Sequence, residues 1–180
     1  MYLRERVVLR KIKRKFEKVC KKYVPNTEQR EQKKFSEKVE KHVKKCGKNL
    51  KVFGTVEILH PDKVTIGDDC RLNNQVYINA RSSVVIGNDV TISYGAKLIS
   101  TGYDIHCWMK TGEKKHIEDK PISIGNHCWI GADVIILPGI QITGEYVIVA
   151  AGAVVTKSIY ESRVVVAGNP AKIVKKIDCE

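Results

Sequence analysis

The chain has 180 residues, 43% apolar and 29% charged, which is enough for one substantial core and too apolar for a wholly disordered chain. Its 32 Lys and Arg outnumber 20 Asp and Glu, and the entire excess lies in the first fifty residues, where 18 basic side chains meet 6 acidic ones. No apolar run reaches the roughly 18 residues of a membrane-spanning helix, and MYLRERVVLRKIKRKF has neither the apolar stretch nor the small-residue site of a secretion signal. The 6 cysteines include no CxxC pair, which argues against a zinc knuckle and, without a secretion signal, for reduced thiols in a cytoplasmic setting.

In chain order, the first element is a basic helix. Leu3, Val7 or Val8, Ile12, Phe16, Val19 and Tyr23 recur mostly every fourth residue among lysines and arginines. Pro25-Asn26-Thr27 stops it, and Asn26 or Thr27 is placed to cap a second helix with Phe35, Val39, Val43 and Cys46 as its apolar stripe. Gly47 suits the C-terminal stop, so residues 1–49 read as a basic helical segment. An apolar stripe beneath a basic flank suits peripheral contact with an anionic membrane through residues 1–24. Packing of the helices on the main domain is the competing account. Nucleic acid has little support, since no reader motif accompanies the basic residues and the rest of the chain is neutral.

From Leu50 the period changes. Ile124, Ile130, Ile136, Ile142, Ile148 and Val154 form an unbroken aliphatic series at a step of six, preceded by Ile66, Leu72, Ile78, Val84 and by Ile86, Ile92, Leu98. Glycine follows several of them, as in Ile66-Gly67, Ile86-Gly87, Ile124-Gly125 and Ile130-Gly131. This step fits neither helix nor alternating strand. It predicts a solenoid in which each short strand sends one aliphatic side chain inward and then turns, three strands making an 18-residue coil of a triangular prism. Between Leu98 and Ile124 the series is broken by TGYDIHCWMKTGEKKHIEDK, read as a loop projecting over residues 100–121.

On IGNHCWIGADVIILPGIQI, VAAGAVVTKSI and VVVAGNPAKIVKKI, the segment from about Leu50 to Ile177 resembles the hexapeptide-repeat acyltransferases, nearest the maltose, galactoside and capsular-polysaccharide O-acetyltransferase branch. The resemblance implies a mainly β fold, a left-handed parallel β-helix over residues 50–177. It also implies a homotrimer with each active site between two subunits, acetyl-CoA as cosubstrate, and a sugar or polysaccharide precursor as acceptor. N-acetylation of an amino sugar, O-acetylation of serine, and a catalytically silent trimeric scaffold stay open as alternatives.

Acyl transfer to a hydroxyl needs a base that takes the proton as the oxygen attacks, and imidazole is suited to it near neutral pH. The resemblance implies that a loop histidine does this, which points to His106, with His116 as the lesser candidate. Asp104 would orient that imidazole, the two side chains facing one way if the segment is extended; Glu118 is a second orienting candidate. Where many relatives carry a histidine near the loop entrance, this chain has Gly102-Tyr103-Asp104, a departure that gives the silent reading its weight. Asn79, Tyr103 and Asp104 are candidate acceptor contacts. For acetyl-CoA the resemblance implies Trp129, Ala132, Ala151, Thr156, Lys157, Lys172 and Lys175, with the alanines allowing close approach and the last two lysines meeting phosphates. Cys107 lies beside His106, but neighbours on an extended strand point apart, which disfavours a covalent route. No metal site is expected, because His106, His116 and His127 do not recur at coil intervals.

Overall fold

The computed structural model describes residues 25–117 and 119–178. Residues 1–24, with the expected first helix and its membrane contact, lie outside the described residues, as does Glu118.

The second helix is α1 (Pro25–His42). It runs through Asn26 and Thr27, so these residues lie within it and do not mark its start as caps. It also ends before the expected stop at Gly47, because the chain has by then entered a two-residue strand, β1 (Lys45–Cys46). Val39 and Val43 are buried against the prism, and Phe35 is packed beside them. The buried Ser36 hydroxyl donates to the Gln32 carbonyl at 2.9 Å and accepts from the Val52 amide at 3.0 Å. One side chain thus ties the helix to the first coil, whose end would otherwise expose apolar core.

Beyond α1 the chain winds as a parallel β-solenoid with three faces. Face A holds β1, β4 (Val64–Ile66), β7 (Val84–Ile86), β10 (Ile122–Ile124) and β13 (Gln141–Ile142). Face B holds β2 (Lys51–Phe53), β5 (Arg71–Asn73), β8 (Thr91–Ile92), β11 (Trp129–Ile130), β14 (Ile148–Val149) and β16 (Val164–Ala167). Face C holds β3 (Glu57–Leu59), β6 (Tyr77–Asn79), β9 (Lys97–Ile99), β12 (Ile135–Ile136) and β15 (Val154–Val155). Ile66, Leu72, Ile78, Ile86, Ile92, Leu98, Ile130, Ile136 and Ile142 are all fully buried along the axis. The step of six found in the sequence is the step from face to face.

The glycines that follow these aliphatic residues have a steric cause. At the A–B corner successive coils approach so closely that a Cβ on Gly87 would lie 2.8 Å from both Asn126 Oδ1 and the Gly125 carbonyl carbon. The same corner carries a ladder of side-chain acceptors. Asn88 Oδ1 takes the Asp68 amide at 2.8 Å, and Asn126 Oδ1 takes the Asn88 amide at 2.9 Å. Each rung gives an exposed corner amide a side-chain partner in the next coil.

Two expectations of register are corrected. The early coils are 20 residues long and not 18, as the offsets of Lys48 to Asp68 and of Asp68 to Asn88 both measure. Their corners hold more residues than a minimal turn. The series from Ile124 also does not stay inward to its end. Ile148 and Val154 point out, while Val147, Val149, Ala153 and Val155 are the buried ones. The corner Thr143-Gly144-Glu145-Tyr146 holds one residue more than the equal step allows, and one residue turns every later strand over.

The last coil is closed by β17 (Lys172–Lys176), which returns antiparallel on β16. All five of its side chains are exposed and three are lysines, which blocks further strand addition at that edge. Among the described residues no helix is long and apolar enough to cross a membrane.

Candidate active site

The loop leaves face C after β9 and returns to face A before β10, so it projects from the C–A corner. Its root is buried and fully bonded. Ser100 Oγ donates to the Asn79 carbonyl at 2.8 Å and accepts from the Ser82 amide at 3.2 Å, while Ser82 Oγ accepts from the Lys120 amide at 3.1 Å. Above the root the two arms form a short antiparallel neck. The Ile117 amide donates to the Gly102 carbonyl and the Asp104 amide to the Lys115 carbonyl, both at 2.9 Å, and Tyr103 and His116 form the bridge between them.

At its outer end the projecting loop carries a helix, α2 (Ile105–Thr111). Asp104 is its N-cap, with Oδ1 accepting from the Cys107 amide at 3.0 Å, and Gly112 ends it at φ 75°. Asp104 and His106 therefore do not face one way along an extended strand, because the helix begins between them. Asp104 serves the helix backbone, and His106 stands exposed with no ring hydrogen bond among the described residues. The premise that separated Cys107 from His106 falls with it, but the Cys107 thiol faces Thr111 Oγ1 at 3.6 Å and leaves the imidazole no thiol partner.

The second imidazole is held differently. His116 stacks on Tyr103 with ring centroids 4.8 Å apart and 29° between planes. Trp108 tilts against the same Tyr103 at 6.3 Å, and Lys114 Nζ sits 4.7 Å above the indole. Tyr103, the departure at the loop entrance, is thus the centre of the loop's own small ring cluster. Asn79 lies directly below the loop root on β6, where its Oδ1 accepts from the Arg81 amide at 3.3 Å and its Nδ2 reaches Tyr77 Oη at 3.5 Å.

The residues expected to meet acetyl-CoA divide between two edges of the prism. Trp129 stands 52% exposed on face B, its indole N–H donating to Ser93 Oγ at 2.9 Å. Ala132 and Ala151 share the B–C corner, where the Gly152 amide donates to the Ala132 carbonyl at 2.8 Å. Lys175 pairs with Val165, Val165 with Ile148 and Ile148 with Trp129, which puts Lys175 and the indole in one outward row across face B. Lys172 is exposed on the same strand. Thr156 and Lys157, by contrast, follow β15 at the C–A corner, on the loop's edge of the molecule.

That separation bears on whether the chain fits the cosubstrate. Small side chains at the B–C corner leave backbone within reach, the indole offers a wall, and the two lysines are free of salt bridges among the described residues. These features suit a thioester arm and its phosphates. They lie on a different edge from the loop histidines, so a single copy does not bring the two halves together.

Sequence reasoning missed a groove on the opposite side of Trp129. His127, Trp129, Tyr146, Ile148, Arg163 and Ile177 enclose about 480 Å³ along the A–B corner. His127 stacks on Tyr146 at 4.6 Å and 7°, and its Nδ1 lies 3.0 Å from Asp89 Oδ2. Asp89, His127, Tyr146 and Arg163 occupy the same corner position of successive coils, all with positive φ, but their unequal spacing left no signal in the sequence. Among the described residues no three His, Cys, Asp or Glu side chains cluster to hold a metal.

Comparison with known proteins agrees with this architecture. Residues 121–157 match the family described as the hexapeptide repeat of succinyl-transferase. The chain is 35% identical over 133 residues to galactoside O-acetyltransferase of Escherichia coli (strain K12), spanning 73% of this chain but only 63% of that one. It is 32% identical over 132 residues to WcaF of the same strain, provisionally named a colanic acid biosynthesis acetyltransferase, across 73% of this chain and 69% of that one. Among solved structures, galactoside acetyltransferase in complex with coenzyme A superposes with a TM-score of 0.69 at 29% identity, covering 78% of this chain and 68% of that chain. A maltose O-acetyltransferase from Clostridium difficile 630 gives 0.71 at 26% identity, covering 78% and 73%. The solenoid is the left-handed β-helix of these proteins.

Proposed function

Because the chain belongs to the hexapeptide-repeat acetyltransferase family, we propose that it moves an acetyl group from acetyl-CoA to a hydroxyl of a sugar or polysaccharide precursor. The observation that carries this reading is the long break in the prism, a braced loop that brings imidazoles to the edge of a fold shared with the family. Acetyl-CoA supplies an activated acyl carbon and a good leaving group. The chain's own residues do the rest. A loop imidazole takes the acceptor's proton, and Asn79 beside the loop root offers its amide to the acceptor. The small residues at 132 and 151 let backbone amides approach the thioester, where charge develops in the transition state. Lys172 and Lys175 meet the phosphates as point charges.

The two halves lie on different edges of one prism, which supports a homotrimer. Three copies side by side set the loop edge of one against face B and the B–C corner of the next, and each site then draws on two copies. Sedimentation at micromolar concentration tests this, with a trimer expected and a monomer excluding the shared site.

The activity is tested by thiol release from acetyl-CoA with a panel of galactosides, maltose, amino sugars and serine, each product identified by mass. Acetyl on a sugar oxygen is the expected outcome. Acetyl on an amine or on serine moves the chain to a different acceptor class. Coenzyme A binding with no thiol release across the panel favours the silent scaffold and counts against the transfer reading.

A further inference from the structure

Of the loop's two imidazoles, one is free and one is held. His106 sits on the outer helix α2, exposed, with no ring partner among the described residues, and the carboxylate meant to orient it is engaged in capping that helix. His116 belongs to the neck. Its backbone bridges to Tyr103, and its ring lies against the Tyr103 ring at 4.8 Å. The neck in turn is fastened to the prism. Thr101 Oγ1 donates to the Ile117 carbonyl at 3.1 Å, and below it the buried Ser100 and Ser82 join both arms to β6.

A base must be positioned within hydrogen-bond reach of the proton it abstracts, and small displacements are costly to rate. Groups on braced elements meet that demand better than groups on the outer part of a loop. Resting on the transfer reading above, we propose that His116 is the proton acceptor of this site and that Tyr103 is its positioning residue, the ring that fixes the imidazole plane. The step balances without a further reactant. A lone pair of the acceptor oxygen forms the new C–O bond, and its proton passes to the His116 ring nitrogen. The C–S bond breaks with its electrons on sulfur, and the imidazolium returns the proton to the departing thiolate. Tyr103 then has a purpose that does not require the chain to be silent, since the residue that departs from the usual pattern carries the histidine across the neck.

The test uses the full chain and the acceptor that the wild type acetylates fastest, with coenzyme A affinity measured separately. His116→Ala is expected to lower thiol release about 100-fold or more, with coenzyme A affinity within about twofold of wild type. His116→Phe keeps a ring on Tyr103 but has no nitrogen, and it is expected to lose as much. Free imidazole is expected to restore turnover to His116→Ala and not to His116→Phe, a rescue that a merely structural role would not produce. Tyr103→Ala is expected to lower kcat, and Tyr103→Phe, which keeps the ring, to lower it less. Wild-type turnover in His116→Phe, or a large loss confined to His106→Ala, overturns the assignment while leaving acetyl transfer intact. A wild type that acetylates nothing in the panel overturns the transfer reading and this assignment together.

Discussion

The prism and the loop are made of the same chain but held by different means. In the prism each coil is bonded to the next by parallel strands and side-chain ladders, and its inward aliphatic residues are sealed from water. The loop has almost no buried apolar surface. Ile105 is 62% and Met109 83% exposed, and its order rests on a two-rung neck, one helix cap and a cluster of stacked rings. Stability and chemistry are thereby kept apart. The prism supplies a rigid edge, and the loop presents reactive groups that a packed core would have to desolvate.

Substitutions should register this contrast in proportion to burial. The largest effect belongs to the axis: Leu98→Ala, at a fully buried position, should cost about 2–5 kcal/mol in urea unfolding. A loss near zero would mean that the coil collapses around the gap. Next is the corner: Gly87→Ala places a methyl 2.8 Å from Asn126 Oδ1 and the Gly125 carbonyl carbon. Overpacking of this kind should cost about 1–3 kcal/mol. Smaller again is the loop, where Asp104→Ala removes a cap worth about 0.5–2 kcal/mol to the helix it starts. That loss should appear as faster amide hydrogen exchange at Cys107 and in the rest of α2, with the global unfolding midpoint unchanged. A shifted midpoint would mean that loop and prism unfold as one unit.

The smallest effect at neutral pH is on the half-buried Cys46 thiol and the buried Cys70 and Cys128. Burial, with Glu40, Cys70 and Asp68 nearby, pushes the Cys46 thiol up from 9.0 to about 11, and burial raises Cys70 and Cys128 as well. Below pH 9 these thiols keep their protons whether the chain is folded or not, and their contribution to stability is complete. Above it the unfolded chain releases protons first, so stability should fall as pH rises from about 9 through 11. Thermal unfolding across that window should show the fall, and a Cys46→Ala chain should show less of it.

How much of this was legible in the sequence also divides along the same line. The faces of the prism were readable because one aliphatic residue per strand and one glycine per tight corner repeat along the chain. The register after Ile142 was not, because Ile148 and Val149 are both aliphatic and only the length of the corner before them decides which one turns in. In the loop, α2 was signalled by Asp104 at its start and Gly112 at its end, but the polar run between the two series masked a helix of barely two turns. The Tyr103–His116 stack had no signal at all, since it joins residues on opposite arms whose pairing depends on where the neck closes. The split of the cofactor residues between two edges was equally hidden, because faces follow from coil count and not from distance along the chain.

The most direct test of the central claim, that loop and cofactor face act together only between copies, is complementation. One chain carries a Gly-Ser linker in place of residues 103–116. The other keeps its loop but carries Trp129→Ala with Lys175→Glu. Each alone should release thiol from acetyl-CoA at a small fraction of the wild-type rate. Co-expressed and isolated as mixed trimers, they should regain a substantial part of it, because some sites then pair an intact loop with an intact face. Mixed trimers that bind coenzyme A yet stay as inactive as their parents would contradict the account.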